Sequence, residues 1–419
     1  MLSLQVISQF GTMPERKRIY LCLAKMSEAG WEQKYIQEAF DTRWVAPLGA
    51  NVNGFEDDLK QFMGGEHEVV SLASGTAAIH LALLLSGVGP GDEVLVQSFT
   101  FCASAHPATY LGAKPVFVDS EPYTWNIDPD LLEEAIRDRL AKSGRLPKAI
   151  IPVTLYGMPY QIDRIMEVAN RYGIPVLEDT AESMGSRFDG RMMGTFGKFG
   201  VLSFNGNKMI TTSGGGALIC AEPAMKQKAL WYATQAREPY PYYQHEAVGF
   251  NYRLSNICAG IGRGQMKVVN DHIAHHRHVQ ALYEELLAGV SGVTLHGNPE
   301  MPGQAKRRFD SNFWLCTMTL DPAIQIKGQE RAYEGMPRTD CEPNANVEAL
   351  RTILDQAGIE VRPLWKPMHK QPVYKDAPSY VNGVSESLFK VGLCLPAGPY
   401  VSDDDVRYIA ETIKNAIVS

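Results

Sequence analysis

Short apolar, β-branched runs alternate with longer amphipathic stretches from about residue 66 onward. Such runs are typical of strands buried on both faces, and the stretches between them have the period of helices. The alternation predicts an α/β fold, with a seven-stranded, mainly parallel sheet flanked by helices and a closing strand that can run antiparallel. The predicted strands cover residues 68–73, 92–97, 114–119, 148–155, 174–179, 199–204 and 215–220.

The pattern changes after a long helix-forming run from about residue 254 to 289. Beyond that run, strand candidates at 312–320 and 359–364 and a closing helix near 403–417 predict a smaller α+β domain. A chain of this length commonly divides into a large and a small domain. We therefore predict an N-terminal extension (1–18), a large domain (19–270) and a small C-terminal domain (271–419).

Composition narrows the class of partner. The 419 residues carry 40 basic and 47 acidic side chains, a net charge of −7, with no block of like charge. This balance argues against binding to nucleic acid or an anionic membrane, and no apolar run approaches the ~20 residues that span a bilayer. Seven dispersed cysteines without a CxxC spacing favour reduced thiols, so we expect a cytoplasmic protein.

Polar residues follow several predicted strands, at the carboxyl ends where open α/β sheets bind ligands. Ser74, Gly75 and Thr76 stand between the first strand and a predicted helix. Glycine permits a close approach of the backbone, and the free N–H groups of a helix start, with a threonine hydroxyl, can bind a phosphate. Taken alone, the motif is explained more simply by Ser74 acting only as a helix cap.

The fifth predicted strand ends at Asp179, and Glu182 follows three residues later. Asp179 and Glu182 have the spacing of a capping box, which is the simpler, structural interpretation. Alternatively, Asp179 faces a heteroaromatic cation, because a carboxylate at hydrogen-bond distance raises the pKa of a pyridine nitrogen and keeps it protonated. A protonated pyridine is an electron sink.

Lys208 follows the sixth predicted strand, within SFNGNK and before TTSGGG. A lysine is usually a solvated surface charge. Here its neighbours are small and polar, none of them is acidic, and two buried strands flank the segment. The position therefore suits a lysine that forms a Schiff base inside a site.

Together these motifs resemble those of pyridoxal-phosphate enzymes of fold type I, specifically the DegT/DnrJ/EryC1/StrS sugar aminotransferases. The resemblance extends from about residue 20 to the C-terminus. It implies an aspartate-aminotransferase-like fold, pyridoxal 5′-phosphate as cofactor and a homodimer with shared active sites. The motifs that carry it are SGTAA, TFCAS, EDTAE, SFNGNK before TTSGGG, WVAPLG (44–49), GFNYRLSNICAGIGRGQ (249–265), LWKPMH (364–369) and LCLPAG (393–398).

The resemblance also implies a role for each matching residue. Lys208 would form the Schiff base with the cofactor, Asp179 would pair with its pyridine nitrogen, and Glu182 would lie near its phenolic oxygen, where many relatives have Gln. Phe101 would stack on the ring. The phosphate ligands would be Gly75, Thr76, Ser203 and Asn251 of the partner subunit, with the choice between Asn251 and Arg253 left open.

The implied reaction is a ping-pong transfer of an amino group from glutamate to a nucleotide-linked keto sugar, in sugar or surface-polysaccharide biosynthesis. WVAPLG, SFNGNKMITTSGGG and LWKPMH resemble the subgroup that aminates C4 of UDP-linked 4-keto-6-deoxy-N-acetylhexosamines. Arg253 and His369 are candidate substrate residues, although a lone histidine more often serves packing or hydrogen bonding.

We keep three alternative functions for this protein. One is a 3-aminotransferase and another a dehydratase of the same fold, each acting on a TDP- or GDP-linked keto sugar. The dehydratases that resemble this family have His in place of the Schiff-base lysine, whereas this chain has Lys208. The third is a non-catalytic sensor that only binds the cofactor or sugar.

A histidine-rich segment, DHIAHHRH (271–278), has a spacing that suggests a metal pair. His272 has His275 and His276 at the next helical turn. No acid or cysteine joins them at a recognisable ligand spacing, so we predict a solvated helix face and no metal site.

Overall fold

A computed structural model describes residues 17–302 and 308–418, so the predicted N-terminal extension lies almost wholly outside the described residues. The helices are α1 (Trp31–Asp41), α2 (Ala50–Phe62), α3 (Gly75–Leu85), α4 (His106–Tyr110), α5 (Pro129–Ser143), α6 (Ile162–Tyr172), α7 (Pro223–Ala233), α8 (Asn256–Met266), α9 (Val269–Leu287), α10 (Ala345–Gln356), α11 (Val384–Val391) and α12 (Asp403–Ala416). The strands are β1 (Glu68–Leu72), β2 (Glu93–Gln97), β3 (Lys114–Val118), β4 (Ala149–Ile151), β5 (Leu177–Asp179), β6 (Arg187–Phe188), β7 (Arg191–Met192), β8 (Phe199–Ser203), β9 (Gly216–Cys220), β10 (Val293–Leu295), β11 (Phe309–Asp310), β12 (Cys316–Leu320), β13 (Arg362–Pro363), β14 (Ser379–Tyr380) and β15 (Gly392–Leu395).

The central sheet contains all seven predicted strands in the order β1-β9-β8-β5-β4-β2-β3, with β14 added at the β3 edge. Parallel bridges from Ile150 to Val176 and from Val153 to Asp179 join its two halves. The closing strand β9 is antiparallel to both β1 and β8, whereas the other described pairings in this sheet are parallel. The predicted α/β fold with a mainly parallel sheet is therefore confirmed.

Sequence signals account for the ends of the helices around this sheet. Helices α5 and α6 end at glycines, Gly144 and Gly173, whose φ angles of 70° and 66° are left-handed and favour glycine. Helix α3 is apolar almost throughout because most of its residues are buried. The ends of these helices help to set where the neighbouring strands begin and end, and so which residues lie at the carboxyl edge of the sheet.

A second, antiparallel sheet has the order β10-β12-β15-β13. Helices α9, α10 and α12 pack around its core, where Val279, Leu350 and Ile409 are fully buried. The same core contains Ile19, which pairs with Ile359, while β14 reaches back to β3. The α+β composition agrees with the sequence pattern, and the division at residue 270 stays a prediction.

The single helical run predicted from 254 to 289 is wrong in one respect. The chain leaves helical geometry at Val268, with φ −123° and ψ 5°, and so forms α8 and α9. Helix α8 packs against α1 and α2, whereas α9 packs against α12. One straight helix could not pack against α1 and α2 at one end and against α12 at the other, and so the helix breaks at Val268.

The prediction of a solvated histidine face on α9 is also wrong. His272 and His276 are 5% and 0% exposed. His272 Nδ1 lies 3.3 Å from the carbonyl of Met209, and His276 Nδ1 lies 3.2 Å from the carbonyl of Phe313. The spacing that looked like a metal pair instead marks the face of α9 that packs onto the rest of the protein.

The buried His276 predicts a pH dependence of stability. Burial lowers its pKa to about 3, so the folded protein keeps the ring neutral while the unfolded chain protonates it near pH 6.5. Unfolding therefore takes up a proton as the pH falls, and we expect the His276 contribution to remove about 2 kcal/mol of the free energy of unfolding between pH 7.5 and 5.

The measurement is urea denaturation across this pH range. His276→Gln should flatten the dependence, whereas His245→Gln, at an exposed position where the ring lies beside the Gln235 carbonyl, should leave it unchanged. An equal pH dependence in the wild-type protein and His276→Gln would show that another group causes the loss.

Among the described residues, no helix combines the length and the apolar character needed to cross a membrane. All seven cysteines lie in these residues as free thiols, and five of them are buried. Burial raises the pKa of the Cys22 thiol to about 12, which keeps it protonated at neutral pH. The cytoplasmic location stays a prediction.

Candidate active site

A cavity of about 300 Å³ opens at the carboxyl ends of β1, β5 and β8. Its position follows the rule that open α/β sheets bind ligands at this edge. Seven of the ten candidate residues line it: Gly75, Thr76, Phe101, Asp179, Glu182, Ser203 and Lys208. Asn251, Arg253 and His369 are not among the lining residues of this chain.

One end of the cavity is the start of helix α3. The Ser74 hydroxyl accepts a hydrogen bond from the N–H of Ala77 at 3.0 Å, so Ser74 is the helix cap that its position predicted. The first N–H groups of a helix have no partner within it, and Gly75 and Thr76 present theirs beside the Ser203 hydroxyl. This end can therefore bind an anion.

A close approach of backbones shapes that end. A Cβ atom on Gly216 would lie 2.3 Å from the backbone nitrogen of Gly75, and one on Gly75 would lie 3.1 Å from Ser203 Cβ. A side chain at Gly216 would force β9 away from the start of α3. The glycines thus bring the helix start and the end of β8 together.

Asp179 lies at the other side of the cavity, at the end of β5, and is 4% exposed. Its Oδ2 accepts a hydrogen bond from the Ser104 hydroxyl at 2.6 Å, and Ser104 in turn lies 2.7 Å from the Thr100 hydroxyl. Burial raises the pKa of Asp179, while the bond from Ser104 and the charge of Lys208 act in the opposite direction. A cation in the cavity would further stabilise the carboxylate.

The capping-box interpretation of Asp179 and Glu182 is wrong. The residues after β5 form turns, and the N–H of Ala181 donates to Asp179 Oδ1 at 3.2 Å. Glu182 instead accepts a hydrogen bond from the N–H of Tyr156 at 2.8 Å. Neither carboxylate caps a helix, and both residues line the cavity.

The neighbouring acidic residue, Glu178, lies on the other face of β5. Successive side chains of a strand point to opposite faces, so Glu178 points away from the face that carries Asp179. There it accepts hydrogen bonds from the Tyr160 hydroxyl at 2.7 Å and from the N–H groups of Gly194, Phe196 and Gly197. Glu178 holds the segment before β8 in place and does not line the cavity.

Lys208 places its amine inside the cavity. Its side chain is 14% exposed, and Nζ lies 3.2 Å from Glu182 Oε1. Burial raises the pKa of Glu182, and the charge of Lys208 opposes that shift. The partly buried Lys208 amine therefore contacts one cavity carboxylate directly, in surroundings unlike those of a solvated surface lysine.

Aromatic residues form the remaining wall. The Phe101 ring is 51% exposed and lies 5.4 Å, between centroids, from Trp365. Trp314 also lines the cavity, with its ring centroid 3.9 Å from Lys208 Nζ. The sequence motifs identified Phe101 but not Trp314, Trp365 or Ser104. Trp365 lies in LWKPMH and Ser104 lies in TFCAS, so those motifs already contained both residues. None of the motifs includes Trp314, which reaches the cavity only through folding.

The three remaining candidates lie elsewhere. The Arg253 guanidinium forms an ion pair with Glu56 and donates to the Ser71 carbonyl at 3.0 Å, and its side chain is 8% exposed. Asn251 is exposed. His369 Nδ1 lies 2.6 Å from the Ser98 hydroxyl, a hydrogen bond that fixes the 364–369 segment to the loop after β2.

The donor set fits pyridoxal phosphate. The start of α3 and the Ser203 hydroxyl can bind its phosphate, the buried carboxylate of Asp179 can pair with a protonated ring nitrogen, and the amine of Lys208 can react with its aldehyde. The exposed face of Phe101 offers a surface for stacking on the ring.

Comparison with known proteins supports the same assignment. The model of the DegT/DnrJ/EryC1/StrS aminotransferase family matches residues 27–414. EpsN of Bacillus subtilis (strain 168), assigned as a pyridoxal phosphate-dependent aminotransferase, is 44% identical over 95% of each chain. The GDP-perosamine synthase of Caulobacter vibrioides is 34% identical over 93% of this chain and 96% of its own.

A solved structure agrees in fold. The crystal structure of a DegT DnrJ EryC1 StrS aminotransferase from Brucella abortus has a TM-score of 0.79 and 29% identity, and the match covers 92% of this chain and 95% of that one. Family, relatives and structure all extend over nearly the whole chain. The protein is therefore a pyridoxal-phosphate-dependent sugar aminotransferase that belongs to the DegT/DnrJ/EryC1/StrS aminotransferase family.

Proposed function

We propose that the enzyme transfers the amino group of glutamate to C4 of a UDP-linked 4-keto-6-deoxy-N-acetylhexosamine. The observation that carries the amino transfer is the Lys208 amine, held inside a cavity between the carboxylates of Asp179 and Glu182 and the start of α3. The motifs WVAPLG, SFNGNKMITTSGGG and LWKPMH support the choice of sugar.

The residues divide the chemistry between them. Pyridoxal phosphate, when bound, supplies an electron sink for the pair left by a lost Cα proton and carries the amino group between the two substrates. Asp179 would hold the proton on the ring nitrogen. Lys208 Nζ would accept the Cα proton of glutamate and deliver it to the aldehyde carbon of the cofactor, on the other side of the transferred nitrogen, and the reverse sequence would aminate the keto sugar.

Glu182 keeps the lysine in place between those transfers. Its Oε1 lies 3.2 Å from Lys208 Nζ, while its Oε2 is fixed by the backbone N–H of Tyr156. Tyr156 has a left-handed φ of 54° and its hydroxyl accepts the N–H of Trp365. The carboxylate is thus anchored on one side and available to the amine on the other.

We extend the proposal to a homodimer in which Asn251 of the partner subunit completes the phosphate site. Asn251 is exposed and lies outside the cavity of its own chain, as such a contact requires. Arg253 is the poorer candidate because its charge is buried against Glu56. Moving Arg253 would leave the Glu56 carboxylate buried without its partner, which is costly.

A GDP-linked 4-keto sugar is the second candidate, favoured by the 34% identity to a GDP-perosamine synthase. Both substrates demand the same chemistry at Lys208, so the cavity alone does not separate them. Recognition of the nucleotide and of the substituent at C2 of the sugar decides between them.

The deciding experiment is a glutamate-dependent assay against UDP-linked and GDP-linked 4-keto sugars and TDP-linked 3-keto and 4-keto sugars. We expect the largest kcat/KM with the UDP-linked 4-keto-6-deoxy-N-acetylhexosamine. A larger value with the GDP-linked sugar would establish the second candidate. Activity confined to 3-keto substrates would overturn C4 amination.

A further inference from the structure

We propose that Trp314 is a positioning residue for Lys208: its indole face holds the lysine ammonium inside the cavity while the lysine is not covalently attached to the cofactor. The inference rests on the proposed function, because it concerns where the Lys208 amine is held between proton transfers. Trp314 lies just before β12, far from Lys208 in sequence.

The two side chains meet in a setting that strengthens their attraction. Lys208 Nζ lies 3.9 Å from the centroid of the Trp314 ring. Trp314 is 2% exposed, and the Lys208 side chain is 14% exposed. A cation over a tryptophan face is attracted by the ring quadrupole, and the attraction grows when both groups are withdrawn from water.

Two hydrogen bonds, one from the indole N–H and one from the backbone N–H, hold Trp314 in place. Its Nε1–H donates to the carbonyl of Asn207 at 2.7 Å, so the indole is tied to the backbone directly before Lys208. Its backbone N–H donates to Asn312 Oδ1 at 2.9 Å. The amide nitrogen of Asn312 donates to the carbonyls of Glu182 and Met184, each at 3.0 Å.

These bonds link the two groups that decide where the amine lies, the Trp314 ring and the Glu182 carboxylate. The ring contacts one part of the ammonium, and Glu182 Oε1 contacts another at 3.2 Å. A free lysine side chain has a flexible four-carbon stem and a strong preference for water. The ring and the carboxylate together keep the amine near the cavity, where it must act twice in each turnover.

A purely structural role for Trp314 predicts a different response to fluorination. Fluorine on the indole withdraws electron density from the ring face while leaving the shape of the side chain and its N–H nearly unchanged. A packing residue would tolerate this change, whereas a residue that binds a cation through its face would not.

The experiment replaces all tryptophans with 5-fluorotryptophan or 5,6-difluorotryptophan, in wild-type protein and in Trp314→Phe. In the cofactor-free protein, mass spectrometry measures the rate at which acetic anhydride acetylates Lys208, relative to the exposed Lys375 in the same sample. In the cofactor-loaded protein, absorbance measures the rate of the glutamate half-reaction.

We expect each fluorine to speed Lys208 acetylation in the wild-type protein, by about threefold for the difluoro form, and to slow the half-reaction by a similar factor. Trp314→Phe should show neither response, because its residue 314 carries no fluorine, while the other tryptophans, including Trp365, remain fluorinated. Trp314→Tyr replaces it as the control if Trp314→Phe does not fold by circular dichroism.

Equal rates across the wild-type series would overturn the proposal, as would an equal response in Trp314→Phe, which would assign the effect to another tryptophan. The acetylation measurement needs neither cofactor nor sugar. A failure of the proposed function, seen as no amination of any keto sugar, is therefore distinguishable from a failure of the Trp314 proposal.

Discussion

Replacing Lys208 with alanine is expected to lower the turnover number by about 10⁴-fold or more, because the substitution removes both the Schiff-base amine and the base that moves the proton. The cofactor should still bind, since the start of α3, Ser203 and Asp179 are unchanged. Turnover is measured with glutamate and the preferred keto sugar, and cofactor content by absorbance after gel filtration.

The matched control is Lys375→Ala, which removes an exposed lysine and should leave turnover unchanged. Borohydride reduction of the wild-type protein, followed by peptide mass spectrometry, should find the cofactor on Lys208. An adduct on a different lysine, or measurable transamination by Lys208→Ala, would contradict the role given to Lys208.

The second large effect is expected for Asp179→Asn, which should lower turnover by about 10³-fold with little change in shape. The amide oxygen can still accept the hydrogen bond from Ser104, while the amide nitrogen then faces the N–H of Ala181, and the side chain has no negative charge to keep the ring nitrogen of the cofactor protonated. Single-turnover absorbance of the glutamate half-reaction measures the effect directly at the step where the electron sink is needed.

Glu178→Gln offers the control from the adjacent position on β5. It alters a buried carboxylate that accepts four hydrogen bonds on the opposite face of the strand. We expect Glu178→Gln to lower the free energy of unfolding by about 1–3 kcal/mol while the folded fraction keeps its turnover. If Asp179→Asn retained more than about a tenth of wild-type turnover, Asp179 would not be the partner of the ring nitrogen.

The elements with strong local signals were predictable from the sequence. Buried strands such as β2 and β8 are short apolar runs, and the glycines after α5 and α6 mark the ends of those helices. These signals depend on residues a few positions apart, and so they survive without knowledge of the fold. The same holds for the polar residues placed just after β1, β5 and β8.

Some predictions from the local spacing of residues were wrong or ambiguous, and for the same reason. The spacing of His272 and His276 shows that they share a face of α9, but not that other segments cover that face. The spacing of Asp179 and Glu182 fits a capping box equally well as a pair of cavity carboxylates, until the turn after β5 is seen. In each case the local pattern is compatible with two environments, and packing selects one.

Patterns along the sequence were enough to predict the α/β architecture, the order of strands along the chain and, through the motif resemblance, the importance of Lys208. The packed fold was needed to see that Arg253 pairs with Glu56, that Glu182 contacts Lys208, and that the ring of Trp314 lies over the Lys208 amine. Secondary structure follows from interactions between near neighbours, whereas an active site depends on contacts between segments that are distant in sequence and meet only when the core packs.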